Sequence, residues 1–279
     1  MDSMDNSDSS DSSASTIRDR GLSEEERYQF DRTGYVVLED VLSESEVGVL
    51  NELIDDRELP EPTREPGSGR RFNDFLAWGQ PFCELLDHDR VLFALRDILG
   101  EDSFRLDHYY GIYMEAGCET LGLHGGGTPH DPAQYYVHHD GSMYNGLTVV
   151  AWNLADTGPE DGGFCCIPGS HRSNYECPAS VREGVSAADT PGELPDIVEV
   201  PSVAAGSVLI FTEALTHGTA PWVGEHQRRS LLYKYSPGHM SWGNQYPEPP
   251  EGIEFTERQE RLFEPPHVYK RTSLFETDE

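Results

Sequence analysis

From about residue 104 onward the chain is cut into short apolar runs, at 105–115, 146–154, 163–167, 196–200, 206–212 and 230–235, separated by Gly, Pro, Asp and Asn. Runs of this length between turn formers predict β-strands. Their spacing predicts an antiparallel sandwich or barrel, with helices gathered at the N-terminal end. Ser23-Glu-Glu-Glu26 is a capping-box pattern that opens the first helix, followed by Tyr28 and Phe30. Residues 34–42 read as a strand, and Ser43 then caps a helix with Val47, Leu50, Leu53 and Ile54 on one face. Residues 58–72, rich in Pro, Gly and Arg, read as a loop, and Arg90 to Leu99 as an amphipathic helix that stops at Gly100. The stretch 239–279 is rich in Pro and aromatic residues, with one short helix expected at 256–262. Residues 1–20 are Ser and Asp with almost nothing apolar, so we expect a disordered acidic tail before a single domain over 21–279.

Charge narrows the class of partner. Asp and Glu number 51 against 20 Lys and Arg, a formal net charge of −31. Such a field repels nucleic acid and anionic membrane surfaces, so neither is expected as a partner. Lys234 and Lys270 are the only lysines in the chain. An acidic surplus with depleted lysine predicts a halophilic, cytoplasmic protein whose self-repulsion is screened by dense salt. The five cysteines are odd in number and lack a C-x-x-C spacing, which predicts free thiols in a reducing compartment. No apolar run reaches the length of a membrane span, and no positive region precedes an apolar core at the N-terminus, so a soluble intracellular chain is expected.

The chemistry is concentrated in Thr216-His217-Gly218 and Arg228-Arg229-Ser230. The run 206–211 is expected to carry His217, and 230–235 is the next strand. With the two strands adjacent, the imidazole and the Arg228 guanidinium point into one cavity. A metal at one end and a fork for a carboxylate at the other suits a dicarboxylic keto acid. Four histidines, His124, His130, His138 and His139, fall within sixteen residues, and His138 with Asp140 forms a literal H-x-D on one face of an extended segment. His124 is followed by Gly125, Gly126 and Gly127 instead. His88, His108, His226, His239 and His267 read as surface or hydrogen-bonded residues, and His171 as bonded across a turn. Tyr109, Tyr110 and Tyr113 precede the first ligand region. Trp152 and Asn153 alternate, so only one of them can face a cavity.

Three segments resemble the phytanoyl-CoA dioxygenase family in order along residues 22–238. They are Phe30-Asp-Arg-Thr-Gly-Tyr-Val-Val-Leu-Glu-Asp-Val-Leu-Ser43, Asp161-Gly-Gly-Phe-Cys-Cys-Ile-Pro-Gly-Ser-His-Arg172, and Ala205-Gly-Ser-Val-Leu-Ile-Phe211 leading to His217-Gly218. The resemblance implies a mainly β fold with N-terminal helices around a double-stranded β-helix (jelly-roll) core that holds Fe(II) and 2-oxoglutarate. It implies a dioxygenase that uses O2 to hydroxylate a small organic substrate, releasing succinate and CO2. His217 matches the distal histidine of the iron site, and Arg228 the clamp on the far carboxylate. Ser230 adds a hydrogen bond to that carboxylate, and Tyr113 and Thr219 are expected as further cosubstrate contacts. The departure lies at the H-x-D pair. By placement His124 is the histidine and Gly126 the carboxylate position, as in related iron halogenases that carry Gly or Ala there and admit chloride. By literal pattern the pair is His138 and Asp140. A third arrangement joins His124 and His217 with Asp140. Hydroxylase, halogenase-like enzyme and non-catalytic binding protein therefore stay open at this point, and fold alone does not separate them.

Overall fold

The computed structural model describes residues 21–59, 70–118 and 121–276. The acidic tail expected at 1–20 and most of the loop expected at 58–72 lie outside the described residues. The first helix, α1, spans Glu24–Thr33 with both arms of the Ser23/Glu26 capping box formed, and it ends at Gly34 with φ +84°. Strand β1 is Tyr35–Leu38. It is shorter than the run 34–42 because the chain turns at Asp40, whose φ is +52°. Helix α2 covers Glu44–Asp55 behind the Ser43/Glu46 capping box and buries Val47, Leu50 and Ile54. After β2 (Arg70–Phe72) come a 3₁₀ turn at Phe75–Trp78, α3 (Gln80–Glu84) and α4 (Asp89–Leu99), which ends at Gly100 in the left-handed region.

The strands then follow closely: β3 (Arg105–Met114), β4 (Leu121–His124), β5 (Tyr136–His139), β6 (Ser142–Asn145), β7 (Thr148–Asn153) and β8 (Gly163–Cys166). Helix α5 (Ala179–Ala187) precedes β9 (Val208–Thr212), β10 (His217–Ala220) and β11 (Arg228–Ser236), and α6 (Glu257–Leu262) forms where the short C-terminal helix was expected. The run 196–200 makes no strand. It is bracketed by Pro195 and Pro201, which cannot donate to a ladder, and it pairs only through a bridge between Glu199 and Cys166.

Six strands form one antiparallel sheet in the order β1-β9-β7-β11-β3-β2, and three form a second in the order β4-β10-β8. The architecture is the expected mainly β jelly roll with helices at its N-terminal end. Alternation along β11 assigns the faces of the large sheet. Leu231, Tyr233 and Tyr235 join a core with Phe30, Leu50, Phe82 and Leu95 from the helices. The hydroxyls of Tyr233 and Tyr235 donate to the backbone carbonyls of Phe82 (2.6 Å) and Leu86 (2.7 Å), pinning the helical layer to the sheet. The opposite face packs Leu232, Ala151, Leu209 and Phe211 against Cys166 and Phe164 of the small sheet. The space between the sheets is where the histidines and Arg228 meet.

Candidate metal and dicarboxylate site

His217 is the first residue of β10. It sits in the small sheet, not on the run 206–211 expected to carry it, because the chain turns at 213–216 between β9 and β10. This placement gives it His124 of β4 as a cross-strand partner on one side and Cys166 of β8 on the other. The two imidazole centroids are 4.3 Å apart. Nδ1 of His124 lies 3.0 Å from the carbonyl of Gly122, and Nδ1 of His217 lies 2.7 Å from the carbonyl of Leu215. A carbonyl only accepts, so each Nδ1 carries the proton and each Nε2 keeps its lone pair. Burial lowers the pKa of both rings, that of His217 to about 4 against the opposing pull of Glu213. Two neutral imidazoles with fixed tautomers are metal donors in waiting.

After His124 the backbone bends through Gly125 (φ +71°) and Gly126 (φ +96°). A Cβ at Gly125 would meet the carbonyl oxygens of Glu213 at 2.7 Å and Leu215 at 2.8 Å. The turn is held there by a bond from the Gly126 amide to the Glu213 carbonyl at 3.1 Å. The carboxylate position implied by the family pattern is thus bare backbone.

Arg228 opens β11 and is 5% exposed. Its Nη1 meets only the thioether of Met114, at 3.1 Å, and its Nε has no partner. Gly163 makes room for it, since a Cβ there would stand 3.1 Å from Nε. No carboxylate among the described residues pairs with this guanidinium, and burial lowers its pKa to about 10. A buried cation without an anion is costly and points to an external acid. Ser230, two residues on, is also buried and donates to Asn153 Oδ1 at 3.3 Å. Arg228, Asn153, Thr219, Phe164, His124 and His217 line one cavity. Its free space is only about 40 Å³.

Three of the residues singled out in the sequence lie elsewhere. Tyr113 faces the outer side of β3, where its hydroxyl donates to Glu115 Oε1 at 2.8 Å and its ring joins the helix-side core. Strand parity turns Tyr110 and Ile112 inward instead. His138 and Asp140 belong to the β5–β6 hairpin. Asp140 is at its tip with φ +52° and its side chain is 94% exposed, hydrogen-bonded to His139 at 3.2 Å. His138 is exposed and lines a surface groove with Glu24, Arg27 and Asp97. The literal H-x-D is therefore not brought to the histidine pair, because the hairpin packs beside α1 and α4.

Sequence reasoning passed over two residues here: Lys234, which lines the cavity, and Glu213, which pairs with it. Glu213 is 3% exposed and stands between Lys234 Nζ (2.6 Å to Oε1) and His217 Nε2 (3.8 Å to Oε2). Burial is the largest single influence and works against its charge, but Lys234, His217 and His124 together hold the carboxyl at about 2. Burial likewise is the largest influence on Lys234 and opposes its charge, but Glu213 and Tyr110 together reverse the sign, so the ammonium's pKa is raised. Lys234 also lies 5.4 Å from the centre of the Tyr110 ring, which Arg71 covers at 4.4 Å. A signal was present: a chain with two lysines keeps one of them inside an apolar strand.

The family profile described as Phytanoyl-CoA dioxygenase (PhyH) matches residues 30–230, which include both histidines and Arg228. The chain belongs to the phytanoyl-CoA dioxygenase family. Ectoine dioxygenase of Sphingopyxis alaskensis is 25% identical over 241 residues, covering 78% of this chain and 77% of its own. Ectoine dioxygenase of Nocardia farcinica is 24% identical over 233 residues, covering 74% and 75%. Among solved structures, HygX from Streptomyces hygroscopicus with nickel and 2-oxoglutarate bound superposes with a TM-score of 0.70 at 28% identity, covering 79% of this chain and 89% of that one. HygX with iron bound gives 0.67 at 27% identity, with the same coverage. Family membership and these neighbours bear out the expected class, an Fe(II)- and 2-oxoglutarate-dependent oxygenase.

Proposed function

We propose that the chain is a dioxygenase that hydroxylates a small organic substrate with release of succinate and CO2. The observation that carries this reading is Arg228. It is a buried guanidinium with an unpartnered Nε, sharing one cavity with two imidazoles whose Nδ1 bonds to backbone carbonyls leave Nε2 unprotonated. The donor set suits a divalent iron at one end and a carboxylate at the other. Fe(II) and 2-oxoglutarate, when bound, supply an O2-dependent oxidation in which the keto acid ends as succinate and CO2.

The chain's own residues do the rest. His124 and His217 present Nε2 to the ion, each kept in the right tautomer by its backbone carbonyl. Arg228 takes the far carboxylate through its fork, with Ser230 and Thr219 as the nearby hydroxyls. Phe164 and Phe211 pack against each other and against the His217 ring, closing the inner wall to water. The cytoplasm is the proposed compartment, on the ground that all five cysteines are unpaired. Among the described residues no helix is long and apolar enough to cross a membrane.

Anaerobic titration of the protein with Fe(II) and 2-oxoglutarate, followed by visible absorption of the iron–keto acid pair, tests the reading. We expect a band with wild type that is lost in His217→Ala and in Arg228→Ala. A folded wild-type protein that gives no band sinks the proposal and favours a binding protein on the same scaffold.

A further inference from the structure

We propose that Glu213 supplies the carboxylate of the metal centre, joining His124 and His217 from the turn before β10. The inference rests on the reading above that the two imidazoles hold a metal. The position after β4 that the family pattern reserves for an acid is Gly126. Its φ is +96°, and a Cβ there would come within 3.0 Å of Thr216 Oγ1. Asp140 is almost fully exposed at a hairpin tip. Glu213 is the carboxylate that stands beside the metal-facing atom of His217, with Oε2 3.8 Å from Nε2. Two donors each roughly 2.0–2.2 Å from one ion lie about 3 Å apart at a right angle and about 4 Å apart when opposed, so this separation already falls within the span of a shared ion. Glu213 is 3% exposed, so water does not compete for it.

As the side chains stand, no three His, Cys, Asp or Glu groups close around one point among the described residues. Oε1 is bonded to Lys234 at 2.6 Å, which leaves Oε2, the oxygen nearer His217, as the one available to an ion. Lys234 then plays the part of an outer partner that orients a ligating carboxylate. The competing account makes Glu213 a counter-ion for Lys234 and nothing more. The two accounts part when the lysine is removed as well.

Titration with Co(II), read by its ligand-field absorption and by metal content after gel filtration, makes the comparison. The proteins are wild type, Lys234→Met, Glu213→Gln and the double variant Glu213→Gln/Lys234→Met. The double variant removes the ion pair without stranding either charge, so it remains informative if Glu213→Gln unfolds. Lys234→Met is expected to bind Co(II) more weakly than wild type while keeping the wild-type band pattern, because the carboxylate ligand remains. Glu213→Gln and the double variant are expected to lose about 10-fold or more in affinity and to change the band pattern. Wild-type affinity and spectrum in the double variant would overturn the proposal while leaving the oxygenase reading intact. Wild-type protein that binds no Co(II) would overturn both. The wild-type spectrum is also expected to be the same in sodium sulfate and sodium chloride, because the carboxylate fills the place a halide would take. A chloride-dependent spectrum would overturn the Glu213 assignment and favour halogenase-like ligation.

Discussion

Glu213 and Lys234 form a buried ion pair, Oε1 to Nζ at 2.6 Å, between the turn that precedes β10 and the inner face of β11. Neither side chain is more than 10% exposed, so each charge depends on the other for solvation. We expect Glu213→Gln or Lys234→Met alone to cost about 3–5 kcal/mol of stability, and the double variant to cost far less. Urea unfolding of the four proteins in a double-mutant cycle measures this. Additive losses would mean that the two groups are solvated separately.

Arg228 is stabilised by little within the chain itself. Its guanidinium is buried against Met114 and Gly163, with one nitrogen unpartnered. Arg228→Met is therefore expected to hold or raise the melting temperature of the protein alone, while weakening 2-oxoglutarate binding by about 2–5 kcal/mol. Calorimetric titration and thermal unfolding of the same variant provide the two readings. A variant that binds 2-oxoglutarate as wild type does would remove Arg228 from the clamp.

His171 sets an acid limit on the fold. It is buried under the ring of Tyr136, with Nε2 3.1 Å from the Asp31 carbonyl and Nδ1 unpartnered, and burial lowers its pKa to about 4. The unfolded chain takes up this proton near pH 6.5, so between 6.5 and 4 the unfolded state binds more protons than the folded one. Stability is therefore fully present above pH 6.5 and declines as pH falls toward 4, by about 2–3 kcal/mol at pH 4.5 from this residue. His171→Gln keeps a donor for Asp31 and cannot titrate. We expect the loss in urea midpoint between pH 7 and 4.5 to be smaller in this variant, and equal losses would disprove the role.

His138 and Asp140 are expected to be dispensable. Their hairpin tip is exposed and lies away from the histidine pair. His138→Ala and Asp140→Ala should leave iron content unchanged and shift stability by no more than about 0.5 kcal/mol. Loss of iron in Asp140→Ala would return the literal H-x-D to the metal centre.

Salt is expected to stabilise the fold. With a formal charge of −31, repulsion across the surface is long-ranged at about 0.1 M salt and nearly extinguished at about 1 M. The melting temperature should rise from low salt to molar KCl. A flat or falling curve would contradict the halophilic reading.

Much of this was legible along the chain. The Ser23 and Ser43 caps, the helix stop at Gly100 and the short apolar runs gave the helices and most strands, because caps and alternation are local. His217 and Arg228 were legible as residues of one cavity for a related reason, each opening a strand beside a distinctive turn. Tyr113 was misplaced because β3 carries aromatic side chains on both faces, so its pattern has no parity to read. Asp140 misled because an H-x-D spacing reports only that two side chains share a face, and says nothing of where a hairpin is docked. Glu213 and Lys234 went unread because their pairing crosses 21 residues, from the turn after β9 to β11, and only the folded chain makes them neighbours.

Strand β11 has a final consequence. It is flanked on both sides, by β3 and β7, and presents Arg228, Ser230, Leu232 and Lys234 to the interior while Arg229 reaches outward to Asp55 at 2.6 Å. A slip of one residue against its neighbours would exchange these two sets at a stroke. Misaligned chains would then lack any site for a dicarboxylate, and correctly aligned ones would be the sole species able to bind it. The cosubstrate thereby becomes an inspector of strand alignment, and its presence during refolding should enrich the native register over its near misses.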